Sequence, residues 1–325
     1  MSNIPKVSVL MPVYNASSFL KESIDSILSQ SFTDFEFLII NDGSTDPSAN
    51  IIDSYTDYRI KHIKFPVNGG ITKALNTGLD IAQGEYIARM DADDLALPKR
   101  LEKQVMFMDQ NPDVGVSGTW VEYFGKRKGV MMAPQNHKEI LWTLLFGSPF
   151  FHPSVIMRTK LIREIKYPSD FPHAEDYALW MKLSDRTQFA NLSEPLLKYR
   201  WSPGSIGLSY SDLQKKSTNR IKRSVLELFL GAPIPDVVWS RLDIDSATPV
   251  DLKEFVDIYK KINDALKLFD EKELMGKVSL LVKQVLLKKG LRKEDRGQLL
   301  SLMRKDFSLF KYYFRFVFFN NLASL

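Results

Sequence analysis

The sequence contains no cysteine. This absence excludes a disulfide framework, a thiolate metal site and a thiol nucleophile, and it agrees with a reducing compartment. The sequence also lacks an apolar run of roughly 18 residues, which is the length that a membrane-spanning helix needs. Its first six residues do not show the charged and then apolar pattern of a signal peptide. Together these absences predict a cytoplasmic protein without a spanning helix.

The composition that remains is that of a globular protein. The chain has 325 residues, of which 44% are hydrophobic and 26% are charged. This length allows two domains, or one large domain with an extension. The formal net charge of +5 fits an acidic ligand such as a nucleoside diphosphate, an anionic membrane surface or a nucleic acid. The charge alone does not choose among these partners.

Short apolar runs alternate with helical patterns over the first 95 residues. The expected strands are 7–13, 35–40, 60–65 and 85–90, and the expected helices are 17–28, 51–55 and 71–82. Strands that alternate with helices favour a parallel sheet covered on both faces. Ligands of such sheets lie at the carboxyl ends of the strands. We therefore expect the site there.

Beyond Leu95 the pattern becomes irregular. A helix is expected at 98–108 and a strand at 114–124, and several prolines interrupt the chain between 149 and 172. From about residue 210 the composition changes to helices rich in Leu, Lys and Phe. We predict a catalytic domain over 1–210, with a nucleotide-binding part at 1–94 and an acceptor part at 95–210, followed by a helical region at 211–325.

Four residues, Asp91-Ala92-Asp93-Asp94, form an acidic cluster directly after an apolar strand. Adjacent carboxylates repel one another unless a positive charge lies between them. Oxygen ligands of this kind suit Mg²⁺ or Mn²⁺, which are usually held by one or two carboxylates together with substrate phosphates. The alternative is a surface loop with solvated aspartates, and the cluster alone does not exclude it.

Two further polar segments follow strands. Tyr14 lies after the first strand, and its ring could stack on a nucleobase or simply pack at the edge of the core. Asp42 lies after the second strand, where its carboxylate could accept a hydrogen bond from the imide of uracil or act as a turn or cap residue. The residues alone leave both alternatives open.

Taken together, these segments resemble family 2 glycosyltransferases, which have the GT-A fold. The matching segments are Met11-Pro12-Val13-Tyr14-Asn15, Asn41-Asp42-Gly43-Ser44-Thr45-Asp46, Asn68-Gly69-Gly70 with Asn76-Thr77-Gly78, Met90-Asp91-Ala92-Asp93-Asp94, His152-Pro153-Ser154-Val155 and Ala174-Glu175-Asp176-Tyr177-Ala178-Leu179-Trp180. They follow the family's order over roughly residues 5–205. The resemblance implies an α/β fold with a Rossmann-like mixed sheet flanked by helices, and a C-terminal helical extension.

The resemblance also implies an inverting transfer of a sugar from a nucleoside-diphosphate sugar, with UDP as the expected nucleotide. The acceptor would be a hydroxyl of a glycan or of a lipid-linked glycan in cell-surface polysaccharide synthesis. The implied donor-binding residues are Pro12, Tyr14, Asn15, Asp42, Gly70, Asn76, Asp91, Ala92 and Asp93. Asp91 and Asp93 would hold Mn²⁺ or Mg²⁺. Asp176, next to Glu175, would be the general base, and His152, Trp180 and Arg200 are candidates for acceptor or phosphate contacts.

The sequence departs from the family pattern in two places. Where many relatives have Ala-Arg-Asn, this chain has Ala74-Leu75-Asn76, so an arginine contact to the donor is in doubt, with Lys73 as a candidate substitute. The segment Tyr199-Arg200-Trp201-Ser202 also lacks the histidine that many relatives carry two residues after the arginine.

The C-terminal tail is strongly basic. Between Lys272 and Arg315 there are twelve basic and four acidic residues, and phenylalanines and tyrosines are interleaved with them near the end. This composition is compatible with peripheral docking at the inner face of the cell membrane. The alternative is that the aromatic residues pack against the catalytic domain or across an oligomer interface.

Other function classes fit the sequence less well. A nucleotidyltransferase should carry a Gly-rich basic loop near its N-terminus, whereas the first loop here is Val13-Tyr14-Asn15-Ala16-Ser17. An inactive GT-A scaffold should have lost an acidic motif, yet both acidic motifs are present. A nucleic-acid partner is disfavoured because the basic residues are concentrated in the tail without a recognisable binding motif.

Overall fold

The computed structural model describes residues 4–201, 211–242, 252–270, 273, 274 and 277. The chain divides into two compact units, Met1–Ile221 and Lys222–Leu325. The predicted domain boundary near residue 210 falls at the edge of a segment outside the described residues, and it stays a prediction. The basic tail that motivates the membrane hypothesis also lies outside them, apart from residues 273, 274 and 277.

The strands and helices follow the expected alternation. The strands are β1 (Val7–Val13), β2 (Phe35–Asn41), β3 (Ile60–Lys64), β4 (Tyr86–Arg89), β5 (Leu95–Ala96), β6 (Val114–Gly125), β7 (Gly129–Met131), β8 (Ile156–Arg158) and β9 (Gln188–Trp201). The α-helices are α1 (Leu20–Leu28), α2 (Ser48–Asp53), α3 (Ile71–Ile81), α4 (Arg100–Gln110), α5 (His137–Leu144), α6 (Thr159–Ile165), α7 (Glu175–Leu183), α8 (Ser211–Leu230), α9 (Asp236–Leu242) and α10 (Leu252–Leu266). A short 3₁₀ turn spans His152–Ser154.

The described strands form one sheet in the order β3-β2-β1-β4-β8-β6-β9-β5, and β7 pairs with β6. The first four strands in this order are mutually parallel, as the alternating pattern predicts. Beyond β4 the sheet becomes mixed, because β8 is antiparallel to both β4 and β6, whereas β6 and β9 are parallel. The predicted fold class, a mixed α/β sheet flanked by helices, is therefore confirmed.

The central strands β1 and β2 consist almost entirely of buried residues. Strands that are buried on both faces need continuous apolar sequence, which explains why these runs do not alternate with polar residues. Helix α1 contributes Leu20, Ile24 and Ile27 to the same core. This core holds the carboxyl ends of β1, β2 and β4 side by side, because β1 lies between the other two.

In the second unit, α8 ends at Leu230 and Gly231 adopts a φ of 65°. The helix therefore ends directly before Gly231, which Ala232 and Pro233 follow. Arg223 closes the turn, donating to Asp236 at 2.6 Å and to Glu227 at 3.1 Å. In the described part of the chain, no helix is both long enough and apolar enough to cross a membrane.

Gly84 fixes the start of β4 against β1. Its N–H donates to the Ser8 hydroxyl at 2.9 Å. A Cβ at this position would lie 2.6 Å from the carbonyl carbon of Val7 and 2.9 Å from the carbonyl oxygen of Tyr86. Both atoms belong to strand backbone, so they cannot move without breaking the pairing of β1 with β4.

We expect Gly84→Ala to lower the free energy of unfolding by about 2–3 kcal/mol, because the added methyl group forces the two strands apart. Chemical denaturation measures the effect. The matched control is Gly147→Ala, where a Cβ would lie more than 4 Å from every atom that the structure describes outside its own neighbourhood in the chain. Equal stability of the two variants would contradict the close strand approach.

Candidate functional site

The loops that follow β1 and β2 hold each other in place. The side-chain oxygen of Asn15 accepts from the backbone N–H groups of Thr45 and Asp46, at 2.8 and 3.3 Å. In return, the N–H of Asn15 donates to the Ser44 hydroxyl at 3.1 Å, and the N–H of Ser17 donates to Asp46 at 2.9 Å. Asn15 has a φ of 49°, a conformation that asparagine tolerates better than most residues. Asn15 therefore organises this side of the candidate site.

Asp42 joins this pair of loops to the loop before α3. The carboxylate is buried, and its two oxygens accept from the N–H groups of Gly69 and Gly70 at 2.6 and 2.9 Å. A Cβ on Gly70 would meet no atom of the described residues within 4 Å, so none of them fills the space beside the loop at that point. Tyr14 lies on the neighbouring loop with half of its surface exposed. An aromatic ring and a carboxylate acceptor therefore lie on adjacent loops, as the sequence predicted.

Asp91, Asp93 and Asp94 form a compact acidic cluster after β4. They offer one oxygen each, and these oxygens all lie within 4.8 Å of one another. Burial and the charge of Asp91 raise the pKa of Asp93 to about 6, and burial also raises the pKa of Asp94. The Oδ2 atom of Asp94 is buried and has no hydrogen-bond partner in the described part of the chain. A close set of oxygen ligands with excess negative charge fits a hard divalent cation.

Arg89, at the end of β4, is a member of the site that the sequence analysis missed. Its side chain is buried and forms an ion pair with Asp91. Its positive charge also acts to lower the pKa values of Asp93, Asp94, Glu175 and Asp176. The available signal was a charged residue at the end of an otherwise apolar strand, immediately before the aspartates.

Arg200 contacts the acidic cluster from β9. Its guanidinium lies between the rings of Phe19 and Phe124, at 4.1 and 4.3 Å from their centroids. Nε donates to the carbonyl oxygen of Asp93 at 2.7 Å, and the backbone N–H donates to Asp94 at 2.7 Å. Arg200 was expected to contact acceptor or phosphate. In the structure it supports the loop that carries the aspartates, and its contact with acceptor or phosphate stays a prediction.

Glu175 and Asp176 occupy the first turn of α7. Burial and the neighbouring charge of Asp176 raise the pKa of Glu175 to about 7, and its Oε2 atom has no hydrogen-bond partner among the described residues. Burial raises the pKa of Asp176 as well, and Ser148 donates to its Oδ2 atom at 3.3 Å. The charge of Asp91 also raises the pKa of Glu175. The acidic cluster after β4 and the Glu175-Asp176 pair therefore lie within electrostatic range of each other.

Three residues that are expected to contact ligands also have partners within the protein. The amide of Asn76 accepts from the N–H of Tyr167 and donates to its carbonyl, both at 2.9 Å, so its hydrogen-bonding groups are used within the protein. The Nε2 atom of His152 lies 2.8 Å from the hydroxyl of Tyr167, and burial lowers its pKa, which favours the neutral ring. Trp180 is fully buried against Phe150. Their expected contacts with donor, acceptor or phosphate stay predictions.

The remaining expected donor residues lie at the carboxyl ends of β1 and β4. Pro12 is in β1 and half-buried, and Ala92 is buried between the two aspartates. The carbonyl oxygen of Ala92 accepts from the Ser23 hydroxyl at 2.9 Å, which ties the acidic cluster to α1. Lys73, the candidate substitute for the missing arginine, is exposed, and its amino group lies 5.2 Å from the centroid of the Phe65 ring.

The raised pKa of Glu175 predicts a pH dependence of stability. The folded protein binds this proton more tightly than the unfolded chain, so stability should fall as the pH rises from 4.5 towards 7. Without divalent metal, Glu175→Gln should therefore be more stable than wild type at pH 8, by on the order of 2 kcal/mol, and this advantage should vanish near pH 4. Urea unfolding at both pH values measures it.

The same substitution at the exposed Glu164 is the matched control, and it should leave the pH dependence of stability unchanged. A constant difference between wild type and Glu175→Gln across the pH range would contradict the buried, protonated state of Glu175.

Comparison with known proteins identifies the family. Residues 8–168 match the family described as "Glycosyl transferase family 2". An "Uncharacterized glycosyltransferase" of Haemophilus influenzae is 35% identical over 245 residues, which cover 71% of this chain and 76% of that protein. The "UDP-Gal:alpha-D-GlcNAc-diphosphoundecaprenol beta-1,3-galactosyltransferase" of Escherichia coli is 34% identical over 207 residues, which cover 61% of this chain and 75% of that protein.

Among solved structures, S. aureus TarS in complex with UDP-GlcNAc superposes with a TM-score of 0.60 at 22% identity, over 92% of this chain and 91% of that chain. At this identity the likeness supports the GT-A fold. The order of the motifs, the mixed sheet and these relatives lead to one conclusion: the chain belongs to glycosyltransferase family 2.

Proposed function

We propose that this glycosyltransferase moves a sugar from a UDP-sugar to a hydroxyl of a glycan or lipid-linked glycan, with inversion at C1, in cell-surface polysaccharide synthesis. The observation that carries the proposal is that the aspartates after β4 and the Glu175-Asp176 pair on α7 lie close enough for their charges to interact. The E. coli relative, whose name gives UDP-Gal as donor and a diphosphoundecaprenol-linked sugar as acceptor, supports the substrate class.

The uracil of the donor would bind between the first two loops. Tyr14 offers an exposed ring on which the base could stack. The carboxylate of Asp42 already accepts two backbone hydrogen bonds, yet each oxygen retains a lone pair for the imide N–H of uracil. Pro12 and Asn15 would shape the same pocket, and Gly70 would leave room for the ribose because it has no side chain.

The diphosphate would lie at the acidic cluster. Asp91 and Asp93, with Asp94 beside them, would hold Mn²⁺ or Mg²⁺. A bound cation would neutralise the negative charge that develops on the leaving diphosphate. Arg89 would keep the aspartates from repelling one another before the donor arrives, because its guanidinium is paired with Asp91.

Asp176 would act as the general base. Its raised pKa makes the carboxylate a better proton acceptor than an exposed aspartate, and Ser148 orients it. The acceptor oxygen would bond to C1 from the face opposite UDP while its proton passes to Asp176. The bond between C1 and the phosphate oxygen then breaks, and its electron pair leaves with UDP. Such a single displacement inverts the configuration at C1.

For donor binding, we expect Asp93→Ala to abolish cation-dependent UDP binding, because the aspartates hold the cation and the cation holds the diphosphate. Titration calorimetry with UDP, with Mn²⁺ and with EDTA, measures the effect. Asp34→Ala is the control, because Asp34 is exposed and precedes β2 at the opposite end of the strands. Unchanged cation-dependent affinity in Asp93→Ala would remove the basis for the metal assignment.

For the chemical step, Asp176→Asn should retain its affinity for UDP-sugar but lose transfer by roughly 10²-fold or more, because the amide keeps the shape and cannot take the proton. Glu175→Gln is the comparison and should lose less. Rates are measured with saturating donor. If Glu175→Gln lost transfer while Asp176→Asn kept it, the roles of the two carboxylates would be exchanged.

A further inference from the structure

The hairpin between β6 and β7, residues 125–132, presents a concentrated positive charge. Lys126, Arg127 and Lys128 are all exposed at its tip. Gly125 and Gly129, with φ values of 88° and 125°, flank them and allow the chain to turn. The sequence from 123 to 138 contains no Asp or Glu. We call residues 125–132 the basic hairpin.

The basic hairpin also exposes apolar side chains. Val130 and Met132 are 51% and 69% exposed. Met131, which lies between them, pairs with the buried Val121 and packs against the core. Because side chains alternate across a strand, Val130 and Met132 point to the opposite, outer face. Exposed apolar groups therefore lie next to the three cations.

The basic hairpin begins at the edge of the candidate site. Phe124, the residue before it, stacks on the guanidinium of Arg200. Arg200 in turn donates to the carbonyl oxygen of Asp93. The start of the hairpin is therefore linked, through Phe124 and Arg200, to the loop that carries the acidic cluster.

We propose that the basic hairpin docks on the surface of an anionic lipid bilayer. Three adjacent cations complement a surface of many negative charges, and the outward Val130 and Met132 could enter its apolar boundary. A nucleic acid would match the charge but offers no apolar layer for these two side chains. The proposal rests on the proposed function, because it identifies the face of the enzyme that meets the membrane of a lipid-linked acceptor.

The absence of cysteine allows a direct test in the full-length chain. Val130→Cys, labelled with an environment-sensitive fluorophore, should shift its emission to the blue with vesicles that contain phosphatidylglycerol, and should not respond to phosphatidylcholine alone. High salt should weaken the effect. Met106→Cys on α4 is the matched control, since Met106 is 55% exposed, and its label should not respond.

Charge reversal tests the cations. The combined substitutions Lys126→Glu, Arg127→Glu and Lys128→Glu should weaken the affinity for these vesicles by about 100-fold or more, because each basic residue near an anionic surface contributes roughly a factor of five. The control reverses three exposed lysines elsewhere, Lys99→Glu, Lys160→Glu and Lys216→Glu, with the same change in net charge. It should bind vesicles with nearly wild-type affinity.

Three results would overturn the proposal. Vesicle binding with an unshifted emission at residue 130 would place the contact elsewhere, such as in the C-terminal tail. Equal loss in both charge-reversed variants would indicate a response to net charge only. A shift with inorganic pyrophosphate alone would identify a soluble diphosphate as the ligand. Hydrolysis of UDP-sugar by the variant with Lys126, Arg127 and Lys128 reversed distinguishes a failure of this inference from a failure of the proposed function. The variant should still hydrolyse the donor slowly if only the docking is lost.

Discussion

The buried guanidinium of Arg89 is the constraint on which the candidate site depends. Burial alone would lower the pKa of this arginine, but its pairing with Asp91 overrides that effect and raises it. Removing one partner of a buried ion pair typically costs about 3–5 kcal/mol, because the other charge is left uncompensated. The acidic cluster and Arg89 therefore require each other. A second buried arginine, Arg100, donates to the carbonyl oxygen of Arg89 at 2.6 Å, and burial lowers its pKa to about 9.

The topology of the sheet determines which groups share this environment. The parallel strands β1, β2 and β4 bring three loops to one edge, and these loops carry Tyr14, Asp42 and the acidic cluster. The antiparallel pairing of β5 with β9 then places Arg200 against the residues that precede β5. Helix α7 adds Glu175 and Asp176, and the charge of Arg89 acts to lower the pKa values of both. The mixed half of the sheet thus completes a site that the parallel half only begins.

The parts of the fold that depend on local pattern could be predicted from the sequence. The strands β1 to β4 and β6 lie within a residue or two of their expected positions, because long apolar or β-branched runs have few alternatives. The two-residue strand β5 was not predicted, because its pairing partner in β9 lies about a hundred residues away. Periodicity contains no information about such a pairing. The same limit explains why the contact between Asn76 and Tyr167, which are 91 residues apart, could not be predicted.

The candidate site could likewise be predicted from the sequence only in part. Residue types and their order pointed to Asp42, Asp91, Asp93, Glu175 and Asp176, whose roles stay predictions. They were not sufficient to separate groups that face a ligand from groups that hold those groups in place. Arg200 and Trp180 belong to the motifs, yet one supports the acidic loop and the other fills the core. A motif records which side chains must be near one another, whereas burial and hydrogen bonding decide which of them remain free to bind.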